Sequence, residues 1–371
     1  MRVAYDATAA AIQTAGVGRY TRELLRDLVT LDPADDYQLV CAATETDARK
    51  LLDQLPPGAA RELRRLPGGE RAATIAWQRL RLPIAVNHFT RPFDIYHATD
   101  FVAPPSKRPI VTTVHDLSYL RVPELGDERL VRYLTAAAPR TLSRSSRIIA
   151  VSATVAAEIV AAYPETRDRV VAIPNGVRLP NAERPSTNPA RPTILTVGTV
   201  EPRKNHLGTL TAMRRVRERF PDAELVVVGR AGWRSDDIAA VIRAAAVAGW
   251  ARWLPEASDI DLARAYAEAA VFVYPSWYEG FGLPVLEAMS YGVPVVAGDI
   301  AALREAAGDA ARFASPADPD EIADQILALL DDPAARVDLR TRGLARASGY
   351  SWRIAAERTR RVYAQAEADR G

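Results

Sequence analysis

Short apolar runs, each followed by a stretch with helical spacing, recur along all 371 residues. This alternation restricts the chain to parallel α/β sheets, in which each strand is joined to the next by a crossover helix. In the first half the strand-like runs are Arg2–Asp6, Tyr37–Ala42, Asp94–His97, Ile110–Val114, Arg147–Val151 and Val170–Pro174. In the second half they are Thr193–Val197, Glu224–Val228, Arg252–Leu254, Val271–Tyr274, Val293–Ala297 and Arg312–Ala314. Amphipathic segments lie between them, such as Tyr20, Leu24, Leu25 and Leu28 on one helical face. Four prolines between Arg178 and Pro192 interrupt the pattern and read as a linker. The expected layout is a first Rossmann-like domain over 1–180, a linker at 181–192 and a second domain over 193–351.

Composition narrows the function. Hydrophobic residues make up 48% and charged residues 25%, enough for two ordinary cores. A net charge of +2 gives no overall argument for nucleic acid binding. The single cysteine, Cys41, lies in an apolar run and reads as a packed core residue. No apolar run approaches the roughly 20 residues needed to span a bilayer. The first residues read as a strand and not as a signal peptide, so a cytoplasmic location is expected.

The densest stretch is Pro275-Ser-Trp-Tyr-Glu-Gly-Phe-Gly-Leu-Pro-Val-Leu-Glu-Ala-Met-Ser-Tyr-Gly-Val-Pro294. An apolar strand leads into the loop Gly280-Phe281-Gly282-Leu283, and Pro284 opens a helix. Backbone N–H groups and the helix dipole at such a turn favour an anion. Glu279 and Glu287 repel that anion and must serve other parts of a ligand. A nucleoside diphosphate sugar offers an anionic centre between hydroxyl-rich rings. The stretch resembles the Glu-x7-Glu signature of family 4 of the retaining nucleotide-sugar glycosyltransferases.

The resemblance implies the GT-B fold: two Rossmann-like domains facing each other across a cleft, with the C-terminal helix, 352–371, returning to the first. It also implies Glu287 on the ribose and Glu279 on the sugar hydroxyls. Further segments support it. Gly198-Thr-Val-Glu-Pro-Arg203-Lys204-Asn205 follows a strand, where Arg203 and Lys204 can neutralise a leaving diphosphate. Thr199 stands where some members of the family carry an arginine. Gly16-Val-Gly18-Arg-Tyr20 lacks the third glycine of the dinucleotide fingerprint, but in the family this loop faces the donor diphosphate and the acceptor. His115, in Val-His-Asp-Leu-Ser, looks like the family's histidine near the transferred sugar. Asp116 either orients that imidazole or caps the next turn. His97 is a weaker candidate, and Ile173-Pro-Asn-Gly-Val177 matches a further family segment. Arg230, after Gly229, is a candidate contact to the nucleotide.

Two strings, Asp259-Ile-Asp261 and Asp318-Pro-Asp320, superficially suggest a metal site. Each opens a helical pattern, so capping explains both, and no metal or cofactor is expected. The basic, partly apolar stretch 61–81 reads either as a solvated helical face or as a peripheral contact with a membrane or a lipid-linked acceptor, the former preferred. The expectation is therefore a retaining, metal-independent hexosyltransferase acting on a carbohydrate, lipid-linked or small-molecule acceptor. The likeness to the mannosyltransferase branch of surface polysaccharide synthesis points to GDP-mannose. Alternatives are a GT-B epimerase or phosphorylase, and an inactive nucleotide-sugar-binding protein.

Overall fold

A computed structural model of the chain describes residues 1–13, 16–56, 62–180 and 191–369, so Arg61 and most of the expected linker lie outside the described residues. The chain divides into two compact units. One comprises Met1–Tyr119, Val131–Gly176 and Ser351–Gly371; the other comprises Leu120–Leu130 and Val177–Tyr350.

The first unit is built on β1 (Arg2–Asp6), β2 (Asp36–Cys41), β3 (Glu62–Arg65), β4 (Ile95–Ala98), β5 (Ile110–Val114), β6 (Arg147–Ala150) and β7 (Val170–Ala172). They form one parallel sheet in the order β3-β2-β1-β4-β5-β6-β7. β4 and β5 are buried along their whole length, as expected of strands covered on both faces. β3 was not expected. Its sequence, Glu-Leu-Arg-Arg, has one apolar residue and reads as part of a basic helical face. It occupies the sheet edge, where charged side chains discourage pairing with another chain.

The second unit contains β8 (Thr193–Val197), β9 (Glu224–Val228), β10 (Ala251–Leu254), β11 (Val271–Tyr274), β12 (Val295–Gly298) and β13 (Arg312–Ala314). The order is β10-β9-β8-β11-β12-β13, again all parallel. Each sheet winds one way from its first strand and then reverses. The reversals fall between β1 and β4 and between β8 and β11. The loops leaving two such neighbours diverge, and they open a crevice at the carboxyl ends of the strands.

The helix Trp352–Ala368 belongs to the first unit. Its buried residues are Trp352, Ala355, Ala356, Thr359, Val362, Tyr363 and Ala366, a stripe with helical period. Its outer side is tied by Arg360, whose Nε donates to Asp35 at 2.5 Å and whose Nη2 donates to Asp32 at 2.6 Å. Gly176 lets the helix start pass close: a Cβ there would stand 2.1 Å from the Trp352 nitrogen and 2.5 Å from the Ser351 carbonyl carbon. Both are backbone atoms and cannot swing aside. Gly176→Ala should therefore destabilise by about 1–3 kcal/mol, read as a lower Tm. A wild-type Tm would show that the close approach is not needed.

Candidate functional site

The reversal between β8 and β11 explains how groups some 75 positions apart meet. β11 lies beside β8 with Val271 opposite Ile194 and Phe272 opposite Leu195. Their loops consequently emerge side by side. The loop from β8 carries Glu201, Arg203 and Lys204, and the loop from β11 carries Glu279. Lys204 Nζ donates to Glu279 Oε1 at 2.6 Å and to the Tyr274 hydroxyl at 2.6 Å. Arg203 Nη1 donates to the Tyr278 carbonyl at 2.9 Å and to Glu279 Oε2 at 3.3 Å. Arg203 Nη2 lies 2.8 Å from Glu201 Oε1. The Trp277 N–H donates to the Arg203 carbonyl at 2.9 Å, which pins the two loops together. Asn205 adopts a left-handed conformation at φ 55°. From there its side chain caps the helix His206–Arg219 and donates to the Pro275 and Pro316 carbonyls.

Two carboxylates and two cations thus form a compact buried quartet. Burial alone would push the Glu279 carboxyl up, but Lys204 and Arg203 outweigh it and hold it at about 2. Burial raises the Glu201 carboxyl, against the pull of the same two cations. Burial and the adjacent Arg203 lower the Lys204 ammonium, opposed by Glu279 and Glu201. Among the described residues, two of the three Lys204 N–H donors have partners, leaving one for a ligand oxygen.

After Glu279 the chain turns through Gly280, Phe281 and Gly282 into the helix Leu283–Ser290, with Pro284 in its first turn. Gly282 sits at φ 99°, and a Cβ there would meet Leu303 Cδ2 at 2.5 Å. Phe281 is buried against Tyr350, ring edge to face. Glu287 projects from this short helix and is almost fully buried. Its Oε2 accepts the Tyr266 hydroxyl at 2.9 Å, and the Tyr266 ring stacks on Tyr291. Gly198 follows β8, and its carbonyl oxygen would lie 2.1 Å from a Cβ at Gly229. Arg230 is exposed after β9, and no hydrogen bond or ion pair joins its side chain to the quartet among the described residues.

Gly16, Gly18 and His115 belong to the first unit. A short helix, Thr8–Ile12, occupies the loop after β1, and Gly16 at φ 57° starts the helix Val17–Leu31. Gly18 is required by contact: a Cβ would stand 2.1 Å from the Gln13 carbonyl oxygen. His115 follows β5 and is half-buried; its Nε2 donates to the Thr99 carbonyl at 2.8 Å. The Tyr20 ring packs edge-on against it, centroids 4.7 Å apart. Asp116 accepts the Ser118 N–H at 2.8 Å and so caps the next turn. His97 is fully buried, with both ring nitrogens hydrogen-bonded.

Comparison with known proteins fixes the family. The profile described as "Glycosyltransferase Family 4" matches residues 14–180, and that described as "Glycosyl transferases group 1" matches 180–346. An Escherichia coli protein named O-antigen chain mannosyltransferase B is 33% identical, over 94% of this chain and 95% of its own. The chain belongs to glycosyltransferase family 4. Sucrose-phosphate synthase from Thermosynechococcus elongatus shares the fold with a TM-score of 0.75 at 19% identity, covering 100% of both chains. An Anabaena protein solved in complex with UDP-glucose also gives 0.75, at 16% identity over 98% of this chain and 100% of its own. The chain is a glycosyltransferase of GT-B type.

In this transferase both Asp-x-Asp strings sit at helix starts. Asp318 caps the helix Pro319–Asp331. For the helix Asp259–Glu268 the cap is Ser258, not Asp259, and Asp261 completes a reciprocal capping box. In the described part of 61–81, β3 is followed by a helix from Gly69 that ends in a π-helical turn, Ile75–Arg79. Glu201, Tyr274 and Tyr266 went unrecognised in the sequence. Each supports a charged group through burial and angle, which residue spacing does not encode.

The charge quartet makes the transferase acid-sensitive in a defined window. Glu279 has its folded value near 2 against an ordinary 4.5. Its contribution to stability is therefore complete above about 4.5 and lost as pH falls towards 2. Glu279→Gln lacks this component. The wild type's excess in urea midpoint over Glu279→Gln should shrink across that window, whereas a constant difference would show that the carboxylate is not held low.

Proposed function

We propose that the chain is a retaining, metal-independent hexosyltransferase that moves mannose from GDP-mannose to a saccharide hydroxyl. The observation that carries this reading is the pair Arg203 and Lys204, fixed at the β8/β11 reversal by Glu201, Glu279 and Tyr274. The donor diphosphate contacts these cations, with the loop 280–283 and Gly198 beside them and Arg230 toward the nucleotide. Glu287 takes the ribose hydroxyls, held by Tyr266, and Glu279 faces the sugar. Gly16, Gly18 and His115 serve the acceptor and the sugar from the first unit. As the anomeric carbon–oxygen bond breaks, its electron pair stays on the diphosphate, and the fixed cations stabilise that growing charge. The acceptor oxygen bonds to the same face of the sugar and its proton passes to the departing phosphate. Arg203 and Lys204 take the part a divalent cation plays elsewhere, and the Asp-x-Asp strings are occupied as caps. Mannose is favoured because a relative that matches along nearly the whole chain is named for mannosyl transfer.

Glu279→Gln keeps the shape of the side chain, and Lys204→Gln keeps a polar group in the cluster while removing the charge. Each should lower the rate of GDP release from GDP-mannose with a mannosyl oligosaccharide acceptor by about 100-fold. Chelation should leave that rate unchanged. Wild-type turnover in either variant would remove its assignment, and loss on chelation restored by magnesium would overturn metal independence.

For the acceptor side, Arg79-Leu80-Arg81-Leu82-Pro83-Ile84 is exposed without interruption, and Ile75 is exposed in the turn before it. From Arg71 to Phe93 the chain has no acidic residue. Arginines among exposed apolar side chains suit an anionic bilayer surface that carries a lipid-linked acceptor. The protein should sediment with phosphatidylglycerol vesicles at low salt, and Leu80→Glu with Leu82→Glu should abolish this. Equal sedimentation of the double variant would exclude this segment as the contact.

A further inference from the structure

A single file of buried hydrogen bonds runs through the first unit from the C-terminal helix to the neighbourhood of His115. Tyr363, fully buried on the helix Trp352–Ala368, places its hydroxyl 2.6 Å from His97 Nδ1. On the other side of that ring, His97 Nε2 lies 2.9 Å from Thr113 Oγ1. Thr113 Oγ1 in turn lies 3.0 Å from the Tyr20 hydroxyl. The Tyr20 ring meets the His115 ring edge-on at 4.7 Å and the Trp352 ring at 6.0 Å. His115 is held from its other side by the Thr99 carbonyl.

The His97 tautomer governs the file. Burial keeps the His97 imidazole neutral, its value lowered to about 3. A neutral imidazole has one donor and one acceptor nitrogen. If Tyr363 donates to Nδ1, then Nε2–H donates to Thr113, which can still either donate to Tyr20 or accept from it. If Nδ1–H donates to Tyr363 instead, Thr113 must donate to Nε2 and accept from the Tyr20 hydroxyl. In that tautomer, orientation at one end sets orientation at the other. Core packing alone would be met by any satisfied pair. Here the file joins four separate segments, β4, β5, the helix Val17–Leu31 and the C-terminal helix. It ends on Tyr20, two residues after Gly18.

We propose that Tyr363 is a positioning residue for the transfer reaction: through His97 and Thr113 it fixes the Tyr20 hydroxyl, and with it the ring plane of His115. This rests on the reading that His115 serves the transferred sugar. It assigns the C-terminal helix a part in catalysis, besides closing the first core. The C-terminal helix is far from Tyr20 in sequence, yet it touches Tyr20 directly through Trp352 and by hydrogen bonds through His97 and Thr113.

The test uses full-length Tyr363→Phe, which removes one oxygen and preserves the ring. The chain has four histidines, so their imidazole resonances are separable, and His115→Gln identifies the one that matters. The expected result is a displaced His115 resonance and a kcat lowered about 3- to 10-fold, the loss of one net hydrogen bond, with KM for the donor unchanged. Thr113→Val breaks the file at its middle without changing volume, and it should reproduce both effects if Tyr363→Phe fails to fold. An unmoved His115 resonance with wild-type kcat in the folded variants would overturn the proposal. If the wild type transfers no sugar at all, the reading of function fails. The His115 resonance in Tyr363→Phe still decides the hydrogen-bond file.

Discussion

The second unit depends on one arrangement: Lys204 and Arg203 sharing the carboxylate of Glu279 between the loops that leave β8 and β11. Removing four charged groups from water costs several kcal/mol per ion unless they are closely paired and hydrogen-bonded. Here the pairing is close, and Tyr274, Tyr278 and Trp277 supply further hydrogen bonds to Lys204 and Arg203. The sign of the balance also matters. Two cations and two carboxylates cancel, so the quartet is neutral before any ligand arrives. A donor diphosphate, on the proposed reading, would then be met by cations already fixed in place, with little reorganisation left to perform.

Topology supplies this arrangement and side chains refine it. Parallel strands put all their carboxyl ends on one edge, and the reversal beside β8 leaves a crevice there. Asn205, held in a conformation costly for most residues, turns the chain sharply after Lys204 and caps the helix that follows. The first unit uses the same winding for different chemistry. Its reversal beside β1 gathers a glycine turn and, through Thr99 and Tyr20, the half-buried His115. The C-terminal helix is bound to that unit by Arg360 on its outer side and by Tyr363 and Trp352 within.

Much of this was legible in the sequence, for reasons that can be named. β8, β9 and β11 have the limits their apolar runs suggest, because strands inside a sheet covered on both faces are largely apolar. The edge strand β3 was not legible, since a solvent-facing edge rewards charge over hydrophobicity. Pro284 marked a helix start because proline tolerates that position and few others. Ser258 was overlooked beside Asp259, as both residue types cap well. Glu201 stood inside a recognised string, yet nothing in its spacing says that it is buried against Arg203. His97 shows the opposite limit: a histidine at a strand end invites a role at the surface, while its hydrogen bonds hold it in the core.

The central claim is that the quartet binds the diphosphate of a nucleotide sugar. Thermal stabilisation by GDP, UDP, ADP and their sugar conjugates tests it most directly, because a ligand of the folded state raises Tm without any acceptor. The account predicts that one nucleotide raises the wild-type Tm, that its sugar conjugate raises it further, and that Lys204→Gln responds little to either. No shift with any of them on folded protein, or an equal shift in Lys204→Gln, would contradict it.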